Sequence, residues 1–361
     1  MHWFWKLLIA VGVALFIWFT VFLILPKMMP QEVVANSAVH GLLIRNQIWE
    51  GTIRVTGDLI TGPYTVITLK PGAKLLVAID GDKSNFDLLP WHNKNGINVN
   101  KEYRGVRPGE PFWNEKNKIQ LHFHKLVAIG TKQQPIIISS DAVPGSPYDF
   151  NVISVDSGVL SNAVVSNYRR FEVGKDVTVR SSRLTNTGEC AICITSGRPS
   201  IINNVFSSNL REYIRVDRGS PQIADNEFEK STGAGIRIDP VRIGAPLIFH
   251  NNFEMSQTLA IDVVGGGENQ GGTVFLNRFS GGTIIQVPCN SRLKFLQNSI
   301  LGVVSFSTGS CIGSYTFGSN YWGAQDFPTI MSDQIILKEK QFRVSIPVIL
   351  KEPPIQVGRR E

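Results

Sequence analysis

The stretch PQIADNEF occupies residues 221–228, and its skeleton recurs as PSIINNVF at 199–206 and PLIFHNNF at 246–253. In each copy an Asn stands five residues after the Pro and a Phe seven after it. The register runs on in both directions: Ser182/Leu184, Asn204/Phe206, Asn226/Phe228, Asn251/Phe253, Asn277/Phe279, Asn298/Ile300 and Asn320/Trp322, with Asn162/Val164 as an earlier member. From residue 182 the steps are 22, 22, 25, 26, 21 and 22 residues. A period in this range is the signature of a solenoid. A second apolar pair keeps step: Ile192/Ile194, Ile214/Val216, Ile236/Ile238 and Ile261/Val263. Alternating β-branched residues mark strands with one buried face. No segment past residue 50 sustains a helical period. Each repeat therefore reads as short strands joined by Gly, Asn, Ser and Pro turns, which is one coil of a parallel β-helix. Coils stack ~4.8 Å apart, so a residue at a fixed place in each coil sits on its counterpart. Phe rings are expected to pile into an apolar column and Asn amides to bond one to the next. Asn is also expected to take the left-handed backbone that tight corners need. A leucine-rich repeat is excluded: it wants Leu five and eight residues before the Asn, where Pro199 and Ser196, then Pro221 and Arg218, stand here.

The chain has 361 residues, 43% hydrophobic and 18% charged, enough for a large core and unlike a disordered chain. Its net charge of +7 is scattered, with no basic stripe interleaved with aromatics, so nucleic acid is not an expected partner. From Leu7 to Leu25 nineteen residues carry no charge. At ~1.5 Å per residue such a run nearly spans a ~30 Å hydrocarbon layer. The expectation is a single transmembrane anchor over 1–27, with the rest of the chain outside the cytoplasmic membrane.

Three other segments fix the organisation. WEGTIRVTGDLITGPYTVITLKPGAKLLV (49–77), LVAIGTKQQPIIISS (126–140) and GSNYWG (318–323) carry an opening coil, a second-coil signature and a closing motif. On these segments the chain resembles bacterial right-handed parallel β-helix proteins of the pectate-lyase-like group. The resemblance implies an all-β, right-handed parallel β-helix framed by residues 48 to about 350. It says little about activity, because the group holds lyases, hydrolases, epimerases and members without assigned chemistry. The expected order is anchor (1–27), stalk (28–47), solenoid (48–350) and tail (351–361). A polar insertion at 80–118 is expected as a flap pinned by Trp91 and Trp113; the alternative is a binding loop in which those two contact the ligand. Smaller insertions fall at 239–246 and 265–272. Residues 323–350 are expected to cap the bare edge of the last coil.

Register decides which side chains share the outer face. One residue after the first Ile of each pair come Cys193, Arg215, Arg237 and Asp262; three after it come Thr195, Asp217, Asp239 and Val264. Arg215 is thus expected on Arg237, and Asp217 on Asp239. An Arg/Asp lattice that offsets like charge is one reading. The other is a polysaccharide site: adjacent carboxylates at Asp217 and Asp239 can share a proton, hold Ca, or work as acid and base, and Arg215 or Arg237 can bind a uronate carboxylate. The lyase and hydrolase motifs of the resembling group are not found here. Cys289 and Cys311, each nine residues before a ladder Asn, are a candidate disulfide. Cys190 and Cys193, at odd spacing on a strand, are expected on opposite faces and not at a metal. His122 and His124 read as a surface pair. The functional expectation is a membrane-anchored β-helix that binds polysaccharide or cell-wall glycan along one face, and on one reading processes it. The alternatives are a structural or adhesive surface protein, and a lyase, hydrolase or epimerase.

Overall fold

The computed structural model describes residues 11–13, 32–79, 118–229, 232–239, 244–255, 258–264, 271–288, 291–307, 313–323, 325–337 and 342–360. The β-branched runs between turn residues fold as short strands, and every strand pairing is parallel. One coil shows the plan. Gln222–Ala224, Glu227–Phe228 and Ala234–Ile238 are its three strands. Each pairs with the equivalent strand of the coil before and the coil after, giving three sheets wrapped around one core.

The core follows the repeat. Phe206, Phe228, Phe253 and Phe279 form one pile, with ring centroids 5.1, 4.6 and 4.8 Å apart and near-parallel planes. Ile300 pairs with Phe279 and continues the column. Ile192, Ile214, Ile236 and Ile261 stack on the third sheet. Beside the Phe pile runs an amide ladder. Asn204, Asn226, Asn251, Asn277 and Asn298 each donate from Nδ2 to Oδ1 of the next ladder Asn, ending at Asn320, at 3.0–3.1 Å. Each ladder Oδ1 also accepts the backbone N–H of the preceding Asn, as Asn226 does for Asn204 at 2.9 Å.

The left-handed corner falls one residue earlier than expected. Asn203, Asp225, His250, Leu276 and Gln297 carry φ between 53° and 56°, and the ladder Asn itself does not. The ladder amide must point inward to reach its neighbours, so the residue before it makes the turn. The earliest register also shifts by one: Leu184 pairs with Val165, not Val164, and Asn162 is a corner residue with φ 49°.

The first coil begins before residue 48. Glu32–Ala35 and Ala38–Leu43, in the expected stalk, pair with Gln47–Glu50 and Thr52–Thr61. At the other end Ile335–Ile336 and Ile349–Leu350 extend two of the sheets, and Ile330 is buried beneath them.

The expectation of a transmembrane helix is corrected. Among the described residues no helix is long and apolar enough to cross a membrane. Within 1–27 only residues 11–13 are described, as a helical turn. An uncharged run meets the hydropathy condition for a span, but a span also needs a continuous helix of that length. The fold class that stands is an all-β parallel β-helix, and the single-pass membrane localisation read from the apolar run falls with the helix.

Candidate functional site

The outer face of the third sheet carries the charged residues. Its strands break strict alternation at one place, repeated in register from coil to coil. Tyr213 and Ile214 are consecutive, and both are fully buried; so are Ala191 and Ile192, and Ala260 and Ile261. Two inward residues in a row bring the residues on either side, three apart, to the same outer face. Glu212 and Arg215 therefore emerge together, as do Ala234 and Arg237. Cys190 and Cys193 pair in register with Glu212 and Arg215. Their Cα atoms lie 5.7 Å apart and they form a disulfide, which corrects the expectation that they face opposite ways.

On this face Glu189 and Glu212, not the Asp pair, are the central acids of an ion-pair network. Glu189 is gripped by Arg215 at 2.6 Å and Arg169 at 3.0 Å, with Arg170 at 3.7 Å. Burial alone would raise its pKa, but the Arg215 hydrogen bond and the three guanidinium charges override this and hold it at about 2. Arg215 also pairs with Asp217 at 3.0 Å. Arg237 sits between Glu212, at 3.2 Å, and Asp262, at 4.0 Å. Asp262 also accepts a 3.4 Å hydrogen bond from Gln286. Burial pushes the carboxyl pKa values of Glu212, Asp217 and Asp262 up, outweighing the neighbouring arginines. Asp239 adds to the shift of Asp217, so those two do sit close enough to interact.

A cleft of about 490 Å³ opens on this face, lined by Arg211, Glu212, Thr232, Arg237, Thr258 and Asp262, among others. Of the expected site residues, the structure brings Arg237 and Asp262 into this cleft. Arg215 and Asp217 are committed to the neighbouring network, and Asp239 does not line the cleft. Glu212 is the central acid of the cleft. Its Oε1 meets Arg237, while its Oε2 is enclosed and has no hydrogen-bond partner among the described residues. Gly233 shapes the rim, since a Cβ there would collide with the Arg211 carbonyl.

The Ca expectation gains no ligand set: among the described residues no group of three His, Cys, Asp or Glu is placed to hold a metal. His124 lies 3.4 Å from Asp156 and edge-on to Tyr64, so a carboxylate absent from its sequence neighbourhood reaches it across coils. Trp91 and Trp113 lie outside the described residues, as do Cys289 and Cys311 and most of the 80–118 insertion.

Parallel coils, an internal Asn ladder and a charged outer face together define a β-helix solenoid protein. Residues 138–284 match the family described as the right-handed beta helix region, which fixes the hand and covers Glu189 through Asp262. A β-helix region of this family marks a carbohydrate-associated or structural protein. No curated protein and no solved structure matches the chain.

Proposed function

We propose that the protein binds a polysaccharide along the third sheet, with the cleft of Glu212, Arg237 and Asp262 as its central subsite. The observation that carries this reading is the cleft itself, where the carboxyls of Glu212 and Asp262 flank the Arg237 guanidinium at 3.2 and 4.0 Å. Arg211, Thr232 and Thr258 line the same cleft. Such closely spaced planar donors, acceptors and hydroxyls suit the hydroxyl pattern of a sugar ring. Coil repetition lays further polar groups along the same face, in the manner of a linear polymer.

The test is a glycan array probed with the unaltered chain and with Arg237→Ala and Glu212→Gln. Binding of at least one polymer, weakened about tenfold or more by either change, is the expected result. Binding unmoved by both changes overturns the site; no glycan bound by the unaltered chain favours a structural role.

One observation favours a catalytic extension of the same reading. Glu212 and Asp262 flank Arg237 and both have raised pKa values. Carboxyl groups whose protonated form is favoured can serve as general acids on a glycosidic bond. A product assay on the polymer found by the array decides it: release of shorter chains, abolished by Glu212→Gln, supports catalysis, and unchanged chain length removes it.

A further inference from the structure

Residues 351–360 do not trail away as a tail. From the last coil the segment runs back across the corner column, against the direction of winding. Gly358 donates its N–H to Leu276 O at 2.8 Å, and His250 Nδ1 donates to Gln356 O at 2.7 Å. Arg359 then reaches Asn203 Oδ1 at 2.8 Å and Glu227 at 2.8 Å. Arg360 makes a two-pronged contact with Asp225, at 2.8 and 2.9 Å. Burial would raise the pKa of Asp225, but these Arg360 bonds outweigh it and hold the pKa below the ordinary carboxylate value.

Two features set this segment apart from a structural strap. It is held almost wholly by polar groups: Ile355, its large apolar residue, is 91% exposed, and exposed Lys351–Pro353 tether it. Ion pairs on a surface contribute little stability, so such a segment can leave. The segment lies at the mouth of a groove. A cleft of about 740 Å³ begins at Arg359 and Arg360 and is lined further on by Asn203, Ser181, Asn162, Lys132 and Arg183. Asp225, held by Arg360, and Glu227 are the acids at its start; Arg183, which also pairs with Glu229 at 3.2 Å, and Lys132 are the bases further on.

We propose that this corner groove is a docking site for an extended segment of a partner protein, and that the chain's own residues 355–360 fill it in cis. The segment it fits carries two adjacent arginines, for Asp225, Glu227 and Asn203, followed by acidic residues for Arg183 and Lys132. Bonds from the segment's backbone to Leu276 O and to the His250 ring set the register, as in other extended-peptide grooves. The partner competes with the cis segment at one site, so weakening the cis segment raises the affinity for the partner.

The test uses a fluorescent peptide of the sequence 355–361 extended by two acidic residues, titrated onto the full chain. The chain carrying Arg359→Ala and Arg360→Ala is expected to bind it at least tenfold more tightly than the unaltered chain. Adding Asp225→Asn and Glu227→Gln to that variant is expected to lower the affinity at least tenfold. Equal affinity for altered and unaltered chains, no binding, or indifference to the Asp225 and Glu227 changes overturns the proposal. Should the variants not fold, hydrogen exchange on the unaltered chain answers the same question. Saturating peptide should speed exchange at Gly358, and unchanged exchange there overturns the proposal. The glycan cleft shares no residue with this groove, so glycan binding serves as an independent control.

Discussion

At the scale of single residues, Asn226 and Phe228 hold the coils in register. Asn226 donates from Nδ2 to Asn251 Oδ1 and Ile201 O, and its Oδ1 accepts from both nitrogens of Asn204. All of this is buried. Asn226→Ala leaves these partners unsatisfied away from water, and the expected loss is about 3 kcal/mol in denaturant unfolding. Phe228→Ala opens a void between two stacked rings, with an expected loss of roughly 3–5 kcal/mol. A loss under 1 kcal/mol in both would contradict the stacked ladder. These residues were legible in the sequence because a ladder position must repeat its side chain, and repetition is visible without structure. The corner residue was not. Asn203, Asp225, His250, Leu276 and Gln297 share a backbone conformation but not a side chain, so no letter pattern marks the column.

At the scale of the element, the third sheet shows what alternation cannot give. Strict period-two alternation places Arg215, Arg237 and Asp262 on the outer face and turns Glu212 inward. The two successive inward residues Tyr213 and Ile214 return Glu212 to the outer face, and in the sequence they are only two adjacent apolar residues, which also occur in ordinary strands. Glu189 is the element's electrostatic pivot. Its folded pKa of about 2 lies below the ordinary 4.5, so its contribution is fully present above pH 4.5 and is lost as pH falls toward 2. Allowing for solvent screening, that contribution is about 2 kcal/mol. Glu189→Gln is therefore expected to lower stability by about that amount at neutral pH, with the gap closing between pH 4.5 and 2 in parallel melts. A gap that stays constant with pH would show that the three arginines do not hold Glu189 ionised.

At the scale of the molecule, the solenoid lines up sites that lie far apart in sequence. Arg359 meets Glu227 across 132 residues and Asn203 across 156, so the returning C-terminal segment left no local trace in the pattern that found the coils. The stacking axis was legible because every coil repeats it. The cleft was half legible: Arg237 and Asp262 followed from register, and Glu212 needed the break in alternation at Tyr213–Ile214. An apolar run near the start suggested a membrane span by hydropathy alone, and a span requires a long helix that the described residues do not contain. The central claim is that a sugar polymer lies on the third sheet with a hydroxyl on Glu212. The most direct measurement is a crystal structure of the chain soaked with the oligosaccharide that the array selects. The account predicts a ring in the cleft with a hydroxyl hydrogen-bonded to the Glu212 carboxyl and Arg237 within hydrogen-bond reach. Sugar bound on another face, with the Glu212 cleft filled only by solvent, would contradict it.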